Sequence, residues 1–509
     1  MQSSQKINRQ SKILLVYPAY PPTFWSFKYA LKFISKKAAF PPLGLLTVAA
    51  LLPKDWKLRL IDMNVENLKD EDLQWADYIF ISAMEIQKSS VKEVIRRAKR
   101  HRKRIVAGGP LFTISPEDYY HHVDHIIMQE AESSLPLFLK DLKDGNLKKI
   151  YKSEIFPDIT LSPIPKWDLI DLKKYAAMSI QYCRGCPFNC DFCNIRILNG
   201  RRPRVKAYSQ ILSELDCLYN MGWRGIVFFV DDNFIGKPHR LKTDLLPHLI
   251  RWMRERNYPF SFLTEASINL ADDEELMKLM VKAGFDSVFV GIESPEEMSL
   301  SECNKTQNLK RDLLSYVRKM QMKGLQVLGG FIVGFDNDPP TIFKRQVEFI
   351  QKSGIVTAMV GLLNAPKKTR LYNRLKRQGR IVGDVSGDNT DFSINFIPKM
   401  GYDRLLKGYR YIIENIYSPS AYYTRVKNFL VNYKMPDFRV YKLQLCYIKA
   451  FIQSVWELGI KGTERIYFWK TLIWTLLRFP RLIPHYIAFS IYGYHFRKVF
   501  HIHFHRNIL

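Results

Sequence analysis

Short apolar runs alternate with helical patterns between residues 12 and 150 of the chain. Five of the runs predict buried strands, because a short continuous apolar run suits a strand that is covered on both faces. The predicted strands are 13–17, 57–62, 78–82, 104–110 and 125–128. The segments 42–52 and 134–142 predict helices, the first of which begins with a proline. Strand–helix alternation at this spacing predicts an α/β domain over residues 12–150, with a doubly wound, Rossmann-like parallel sheet.

A second alternation of strands and helices extends from residue 177 to residue 380. Six β/α units predict a partial (β/α)6 barrel of the TIM type rather than another open sheet. Its predicted strands are 177–182, 225–230, 260–264, 287–291, 326–333 and 357–362. Spaced prolines predict a linker over 151–176, and the helical pattern further on predicts a mainly helical C-terminal domain over 381–509. The polar residues 1–11 are expected to be disordered.

The predicted strands of the first sheet are followed by polar and small residues. Ligands of doubly wound sheets bind at the carboxyl ends of the strands, so these residues predict a binding site at that edge. The candidates are Tyr17, Asn64, Ser82, Met84, Gln87, Gly108, Gly109 and Glu130.

The composition adds a strong basic bias to this picture. The 509 residues carry a formal net charge of +28, and no acidic residue follows Glu464. The basic tail also contains tryptophan, tyrosine and leucine, a mixture that suits the headgroup region of an anionic bilayer. A packed helical domain with a solvated basic face explains the same residues and is the favoured interpretation. Nucleic acid is not an expected partner, because no recognised binding motif accompanies the charge.

We expect a cytoplasmic protein from the pattern of the chain. The first residues lack an apolar core, so no signal peptide is expected. No charge-free apolar stretch reaches about 18 residues, so no membrane-spanning helix is expected either. Peripheral contact with the inner face of the membrane, through the C-terminal helices, is compatible with both expectations.

Four of the seven cysteines fall within eleven residues, and the other three (Cys217, Cys303 and Cys446) are scattered. Cys186, Cys190 and Cys193 have the spacing C-x3-C-x2-C, which lets three thiolates reach one inorganic cluster and leaves one iron open. An open coordination position is what a catalytic metal site needs. Cys183 could complete a closed site, and a zinc knuckle or a disulfide remains an alternative. A disulfide is disfavoured because nothing marks the chain as secreted.

The cysteine motif, with Phe192 before its last cysteine, resembles the cluster motif of the radical S-adenosylmethionine (SAM) superfamily. The N-terminal segments 41–45 and 108–110 resemble the cobalamin domain of one branch of that superfamily. The C-terminal segments 395–400, 408–410 and 416–419 resemble the extension of hopanoid C-2 methyltransferase-like members. The resemblance implies a [4Fe–4S] cluster on Cys186, Cys190 and Cys193, SAM as its ligand, and cobalamin on the candidate residues of the first sheet.

The resemblance also implies SAM contacts at the carboxyl ends of the barrel strands. The implied residues are Phe192, Asp231, Asp232, Glu265, Glu293 and Gly334. Asp231 and Asp232 take the place of the family's Gly-Gly-Glu segment, where carboxylates suit the SAM ammonium. An exposed turn or a helix N-cap is the alternative for this pair, and solvated loop charge is the alternative for both glutamates. The segment around Gly334 would equally suit a buried strand that ends in a turn.

Three further segments have less specific interpretations. We expect Lys305 to be a surface lysine rather than a carboxylate partner. Lys367 and Lys368 are expected in a solvated turn rather than facing an anionic substrate group. The first domain lacks the Asp-x-His-x-x-Gly loop that supplies a cobalt ligand, and His121, His122 and His125 resemble surface and core residues. If cobalamin binds, we expect its cobalt not to be ligated by histidine.

The resemblance implies a cobalamin-dependent radical methyltransferase that acts on an unactivated carbon. The expected substrate is a small molecule or lipid of hopanoid or isoprenoid type, and the expected electron donor is a flavodoxin or ferredoxin. Two alternatives remain at this point. One is a radical SAM enzyme that catalyses cyclisation or rearrangement without methyl transfer, as tetrapyrrole cyclases do. The other is a non-enzymatic nucleic-acid- or membrane-binding protein with a structural metal, which the positive charge would suit.

Overall fold

The computed structural model describes residues 11–436 and 445–506. The expectation of disorder for residues 1–11 therefore lies, except for Ser11, outside the described residues. The side chain of Cys446 lies outside them as well.

The first domain is a parallel sheet of six strands in the order β2-β1-β3-β4-β5-β6. Its strands are β1 (Lys12–Tyr17), β2 (Lys57–Asp62), β3 (Tyr78–Ser82), β4 (Arg104–Gly108), β5 (His125–Ile127) and β6 (Ile150–Tyr151). The doubly wound prediction is confirmed, and five of the strands coincide with predicted ones. The two-residue β6 was not predicted, because so short a strand leaves no alternating or apolar pattern.

Strand β1 shows why this sheet forms. Its residues Ile13 and Leu15 join one apolar core, whereas Leu14 and Val16 join another on the opposite face, and all four are fully buried. Helices α1 (Leu43–Leu51) and α3 (Ala131–Asp144) contribute to the first core, and α2 (Lys88–Arg100) contributes to the second. Helices on both faces explain why the strand is a continuous apolar run.

The second domain is a parallel sheet whose six strands follow one another in sequence order. They are β7 (Ala177–Ile180), β10 (Ile226–Phe229), β11 (Ser261–Glu265), β12 (Phe285–Glu293), β13 (Gln326–Val333) and β14 (Ala358–Leu362). The antiparallel ribbon of β8 (Cys183–Arg184) and β9 (Arg204–Val205) follows β7. The connecting helices are α4 (Tyr208–Asn220), α5 (Leu246–Glu255), α6 (Glu274–Ala283), α7 (Leu313–Met322) and α8 (Ile342–Ser353). The six strands are parallel and follow one another in sequence order, with β7 and β14 at the edges of the sheet. This arrangement confirms the six predicted β/α units.

The C-terminal region is helical, as expected. Its helices are α9 (Arg370–Arg377), α10 (Tyr402–Tyr417), α11 (Pro419–Asn432), α12 (Leu445–Ser454), α13 (Arg465–Arg478) and α14 (Ile483–Arg506). A π-helical segment, Val455–Ile460, extends α12. Helix α14 returns to the first domain, where Phe496 stacks on Phe24 with ring centroids 4.0 Å apart. Among the described helices, none is long and apolar enough to cross a bilayer.

Shorter α-helices lie in the connections between these elements. They are Lys28–Leu31, Asp70–Trp75, Pro110–Ile114, Ile195–Asn199, Pro238–Arg240 and Glu297–Glu302. The exact domain boundaries given above stay a prediction.

Candidate active site

Four charged side chains join the carboxyl edge of the first sheet to the cysteine loop of the second domain. Arg184 donates to Glu130 at 2.8 Å and to Glu132 at 2.7 Å, and Arg204 donates to Glu130 at 3.0 Å. Both carboxylates are buried. Burial alone would raise the pKa of Glu132, but the bonds from Arg184 outweigh it and hold the pKa at about 2. The ion pairs therefore place the predicted cobalamin edge beside the predicted cluster loop.

The cysteine loop is shaped by its backbone. Gly185 has φ +93, and a Cβ there would lie 2.9 Å from the carbonyl oxygens of Asn199 and Arg202, so this turn requires glycine. The amide of Cys193 donates to the carbonyl oxygen of Cys190 at 3.2 Å, which closes the second turn of the loop. The loop therefore returns on itself and gathers its three cysteines.

The three cysteines of the motif are free thiols that are half-buried in this loop. The Cys186 and Cys193 thiols accept backbone N–H bonds from Phe188 and Ile195. Burial raises the pKa of Cys193 to about 12. Among the described residues, no three cysteine, histidine or carboxylate side chains are arranged around a single ion. Three thiols on one loop with N–H donors fit a [4Fe–4S] cluster, which offers each thiolate its own iron.

Cys183 is placed differently from the other three. It is fully buried in β8, and its sulfur lies beside Gly236, where an added Cβ would be 3.5 Å from it. Burial raises the pKa of this thiol well above its ordinary value. The structure therefore gives Cys183 a packing role, and its exclusion from the cluster stays a prediction.

Asp231 and Asp232 support the cysteine loop from the end of β10. The Asp231 carboxylate is fully buried and accepts the Tyr182 amide at 2.8 Å. Asp232 accepts the Asn199 side-chain amide at 2.8 Å and the Gly185 amide at 3.3 Å. The alternative of an exposed turn is wrong for Asp231, and neither residue caps a helix, since the next helical turn has Asn233 as its N-cap.

The carboxylate of Glu265 is held close to this pair at the end of β11. Burial, with a smaller contribution from the negative charges of Asp232 and Asp231, raises the pKa of Glu265 to about 8. Burial likewise raises the pKa of Asp231 to about 8. One Asp231 oxygen is buried without a hydrogen-bond partner among the described residues. Glu265 is half-buried and ends a strand, whereas Asp231 is fully buried, and two carboxylates placed in this way form a site ready for a cation.

Glu293 and Lys305 form a buried ion pair, 2.6 Å apart, at the end of β12. Burial would lower the pKa of Lys305, but the charges of Glu293 and Cys190 outweigh it and raise the pKa. The expectation of a surface lysine is therefore wrong, and so is solvated loop charge for Glu293. Sequence alone does not indicate burial for a lysine in a polar segment, which is why this pairing was not expected.

The end of β13 contributes the remaining predicted SAM residues. The amide of Gly334 donates to Asp338 at 2.8 Å, and the neighbouring Phe335 ring lies 6.4 Å from the Phe192 ring. The cysteine motif and the β13 turn are thus in contact. The assignments of Phe192 and Gly334 to SAM stay predictions.

Three of the predicted cobalamin residues hold the loop that follows β1. The Gln87 amide donates to the Pro18 carbonyl oxygen at 2.5 Å, and the Asn64 amide donates to the same oxygen at 3.3 Å. Tyr17 is also hydrogen-bonded to Gln87. These side chains hold the crevice between β1 and β3, which is the topological switch point where the order of the strands reverses.

The other residues of this edge combine a tight glycine turn with an exposed apolar side chain. Gly109 has φ +90, and a Cβ there would lie 2.6 Å from the hydroxyl oxygen of Ser82. Beside them, 43% of the Met84 surface is exposed, which is unusual for a large apolar side chain next to buried strands. The glycine is required by the close approach of Ser82, and the exposed thioether fits the approach of a large planar ring such as cobalamin. Direct contact by Gly108, Glu130 and the other predicted residues stays a prediction.

The three histidines singled out in the sequence of the first domain do not lie at this edge. His125 begins β5 at the opposite, amino end, where its Nδ1 lies 2.7 Å from the Lys148 carbonyl oxygen. His121 and His122 lie in an exposed turn. Their predicted roles as core and surface residues are confirmed.

The residues that connect the domains were not predicted from the sequence. Arg184 lies two residues before the cysteine motif, which was the available signal, but its partners are more than fifty residues away in sequence. Lys367 pairs with Asp118 at 3.2 Å, and Lys368 donates to the Thr113 carbonyl oxygen at 3.0 Å. The solvated turn expected for both lysines is therefore wrong, since they bind the first domain.

A doubly wound domain whose carboxyl edge adjoins a cysteine loop on a (β/α)6 sheet defines a radical SAM enzyme with a cobalamin domain. Family models agree: residues 34–139 match the B12 binding domain, 180–350 match the radical SAM superfamily, and 369–507 match a domain of unknown function, DUF4070. The fold also resembles that of the cobalamin-dependent radical enzyme OxsB with aqua-cobalamin and SAM bound. That likeness has a TM-score of 0.61 and 16% identity, over 96% of this chain and 84% of that one.

Two relatives align along nearly the whole chain. An uncharacterised methyltransferase of Synechocystis sp. is 40% identical over 95% of this chain and 91% of its own length. The hopanoid C-2 methylase of Rhodopseudomonas palustris is 34% identical over 92% of this chain and 90% of its own length. The chain belongs to the family of cobalamin-dependent radical SAM methyltransferases. It is therefore an enzyme that uses a [4Fe–4S] cluster, SAM and cobalamin, and the alternative of a structural metal protein is set aside.

Proposed function

We propose that this methyltransferase acts on an unactivated carbon of a polycyclic lipid of hopanoid or isoprenoid type. The observation that carries the proposal is the 34% identity with a hopanoid C-2 methylase over 92% of the chain. This similarity extends through the C-terminal domain, which lies outside the cofactor-binding domains and is the part most free to differ between substrates.

The cofactors supply the radical chemistry and the methyl group, and the protein supplies binding, orientation and exclusion of water. In this proposal Cys186, Cys190 and Cys193 hold the cluster. Asp232 positions their loop through the Gly185 amide and the Asn199 side chain. Asp231 and Glu265 accept bonds from the SAM ammonium and ribose, which would compensate for the burial of both carboxylates.

The relatives support transfer of a methyl group rather than cyclisation or rearrangement, and the junction between the domains fits that reaction. Methyl transfer requires cobalamin and SAM to face one substrate, so the two strand edges must be held together. The buried pairs of Arg184 with Glu130 and Glu132 hold them without free rotation. Lys367 and Lys368, which follow β14 in the second domain, add contacts to the first domain.

The lipid substrate implies two partners. A small reductant such as flavodoxin or ferredoxin would deliver the electron that the cluster needs. Because a hopanoid is held in a membrane, the enzyme must reach the bilayer surface, and the basic, aromatic C-terminal helices suit such peripheral contact at its inner face.

The proposal is tested by the lipid profile of a host grown without oxygen, with and without this chain. We expect a new lipid that is heavier by one methylene unit, and no such lipid with the Cys190→Ala variant. An unchanged lipid profile in a host that makes the polycyclic lipid and the active holoenzyme would contradict the proposed substrate class.

A further inference from the structure

The exposed large apolar side chains of the described residues are concentrated between residues 447 and 477. On α12 and its π-helical extension, Ile448, Ile452, Trp456 and Ile460 recur at every fourth position, and all four are exposed. This spacing places them along one face of the helix. A stripe of this length on a water-soluble surface indicates a partner.

Helix α13 departs from the usual pattern of an amphipathic helix, because its buried face mixes Phe468 and Leu472 with two threonines. Its buried face includes Thr471 and Thr475, whereas Ile473 is 54% exposed and Leu477 is 78% exposed. A helix packed on a core normally places apolar residues inside and polar residues outside. The exposed apolar residues of α13 therefore suit an apolar environment better than water.

The two helices lie side by side. The indole of Trp469 donates to the Gly459 carbonyl oxygen at 2.9 Å, and the Phe468 ring packs against Gly459. We call the outward side chains of Ile452, Trp456, Ile466, Ile473, Leu476 and Leu477 the docking face.

Cations surround the docking face, and the nearby acids are already paired. Arg465, Lys470 and Arg478 are exposed on α13. Glu464 is buried and bonded to Arg497, and Glu457 pairs with Lys461 at 3.8 Å. An apolar face with tryptophan and a basic rim is the pattern of helices that lie in the interface of an anionic membrane.

We propose that the docking face inserts into the interfacial region of an anionic lipid bilayer. With 14 residues, α13 is about 21 Å long, shorter than the roughly 30 Å hydrocarbon core, so it lies in the surface rather than across it. A second copy of the chain is a poorer occupant, because it would bring the same cations against this rim. The further step, in which docking at the membrane gives the enzyme its lipid substrate, rests on the proposed function.

Flotation of the full-length holoenzyme with vesicles tests the proposal. One set of vesicles is phosphatidylcholine alone, and the other is an equimolar mixture with anionic phosphatidylglycerol. The test variant is Ile473→Ser with Leu477→Ser. The matched control is Ile155→Ser with Leu161→Ser, because these residues are 76% and 73% exposed but lie far from this face in the sequence.

We expect binding to the anionic vesicles, weakened by salt, and at least a roughly tenfold loss of partitioning in the test variant but not in the control. Cleavage of SAM in solution should be equal in all three proteins, which shows that the variants fold. No vesicle binding, an equal loss in the control, or a dimer that the test variant dissociates would overturn the proposal. Methylation of lipid in detergent micelles reports on the proposed function separately, since it requires no bilayer.

Discussion

The domain junction makes a quantitative prediction for Arg184→Met. The substitution leaves Glu132 buried, with Ser162 as its remaining side-chain partner, because Arg184 is the cation bonded to it. The lowering of the Glu132 pKa from 4.5 to about 2 corresponds to about 3 kcal/mol, at about 1.36 kcal/mol for each tenfold change in proton affinity. Removal of one partner from a buried ion pair costs about 3–5 kcal/mol in general, which agrees.

The loss of stability is measured by urea denaturation, monitored by tryptophan fluorescence, for the transition in which the two α/β domains separate. We expect Arg184→Met to lower the free energy of that transition by about 3 kcal/mol at pH 7. Arg96→Met is the matched control, since its pair with Glu93 is exposed and contributes at most about 1 kcal/mol. Because the folded pKa of Glu132 is depressed, the stabilisation is present above pH 4.5 and is lost as pH falls toward 2.

A second readout separates the junction from overall folding. With the contact between the edges of the two sheets weakened, Arg184→Met should retain cleavage of SAM to deoxyadenosine while methyl transfer falls. A loss of less than about 1 kcal/mol, equal to that of Arg96→Met, would refute the claim that this pair fastens the domains.

The remaining predictions concern the cluster and the buried charges. Cys183→Ala should retain the cluster absorption and SAM cleavage, whereas Cys190→Ala should lose both; a cluster lost in the first variant would mean four ligands. The stability of Glu265→Gln relative to the natural chain should increase by on the order of 3 kcal/mol as pH rises from 5 to 9. The reason is that the raised pKa of about 8 makes the charged carboxylate unfavourable in the folded state. A stability difference that stays constant across this range, measured by urea titration, would contradict the assigned pKa. Lys305→Met should cost about 3–5 kcal/mol, and addition of Glu293→Gln should recover most of it; no recovery would show that the lysine acts through other contacts.

Much of the fold could be predicted from local pattern. Strand β1 is a continuous apolar run because both of its faces are buried, and the six β/α units of the second domain repeat the same signal. The two-residue β6 carries too little pattern to be found. The burial of Lys305 could not be predicted either, because a lysine between polar neighbours gives no sign that a glutamate at the end of a strand will pair with it.

The candidate site was predicted in location but less well in detail. Strand-end position singled out Gln87 and Asn64 as cobalamin contacts, which stay predictions, and the structure uses their amides to hold the loop after β1. The arginine that joins the two domains lies two residues before the cysteine motif, but its partners are 52 and 54 residues away in sequence. Contacts at such separation depend on how the domains are placed, and a single sequence does not encode that placement in any local pattern.

The central claim is that the chain moves a methyl group from SAM to a lipid carbon. Its most direct test incubates the reconstituted holoenzyme, without oxygen, with methyl-labelled SAM, a reductant and a hopanoid in detergent micelles. The account predicts deoxyadenosine together with label in the lipid, and neither product with Cys190→Ala. Deoxyadenosine with an altered but unlabelled lipid would contradict it, because SAM cleavage would then drive cyclisation or rearrangement instead of methyl transfer.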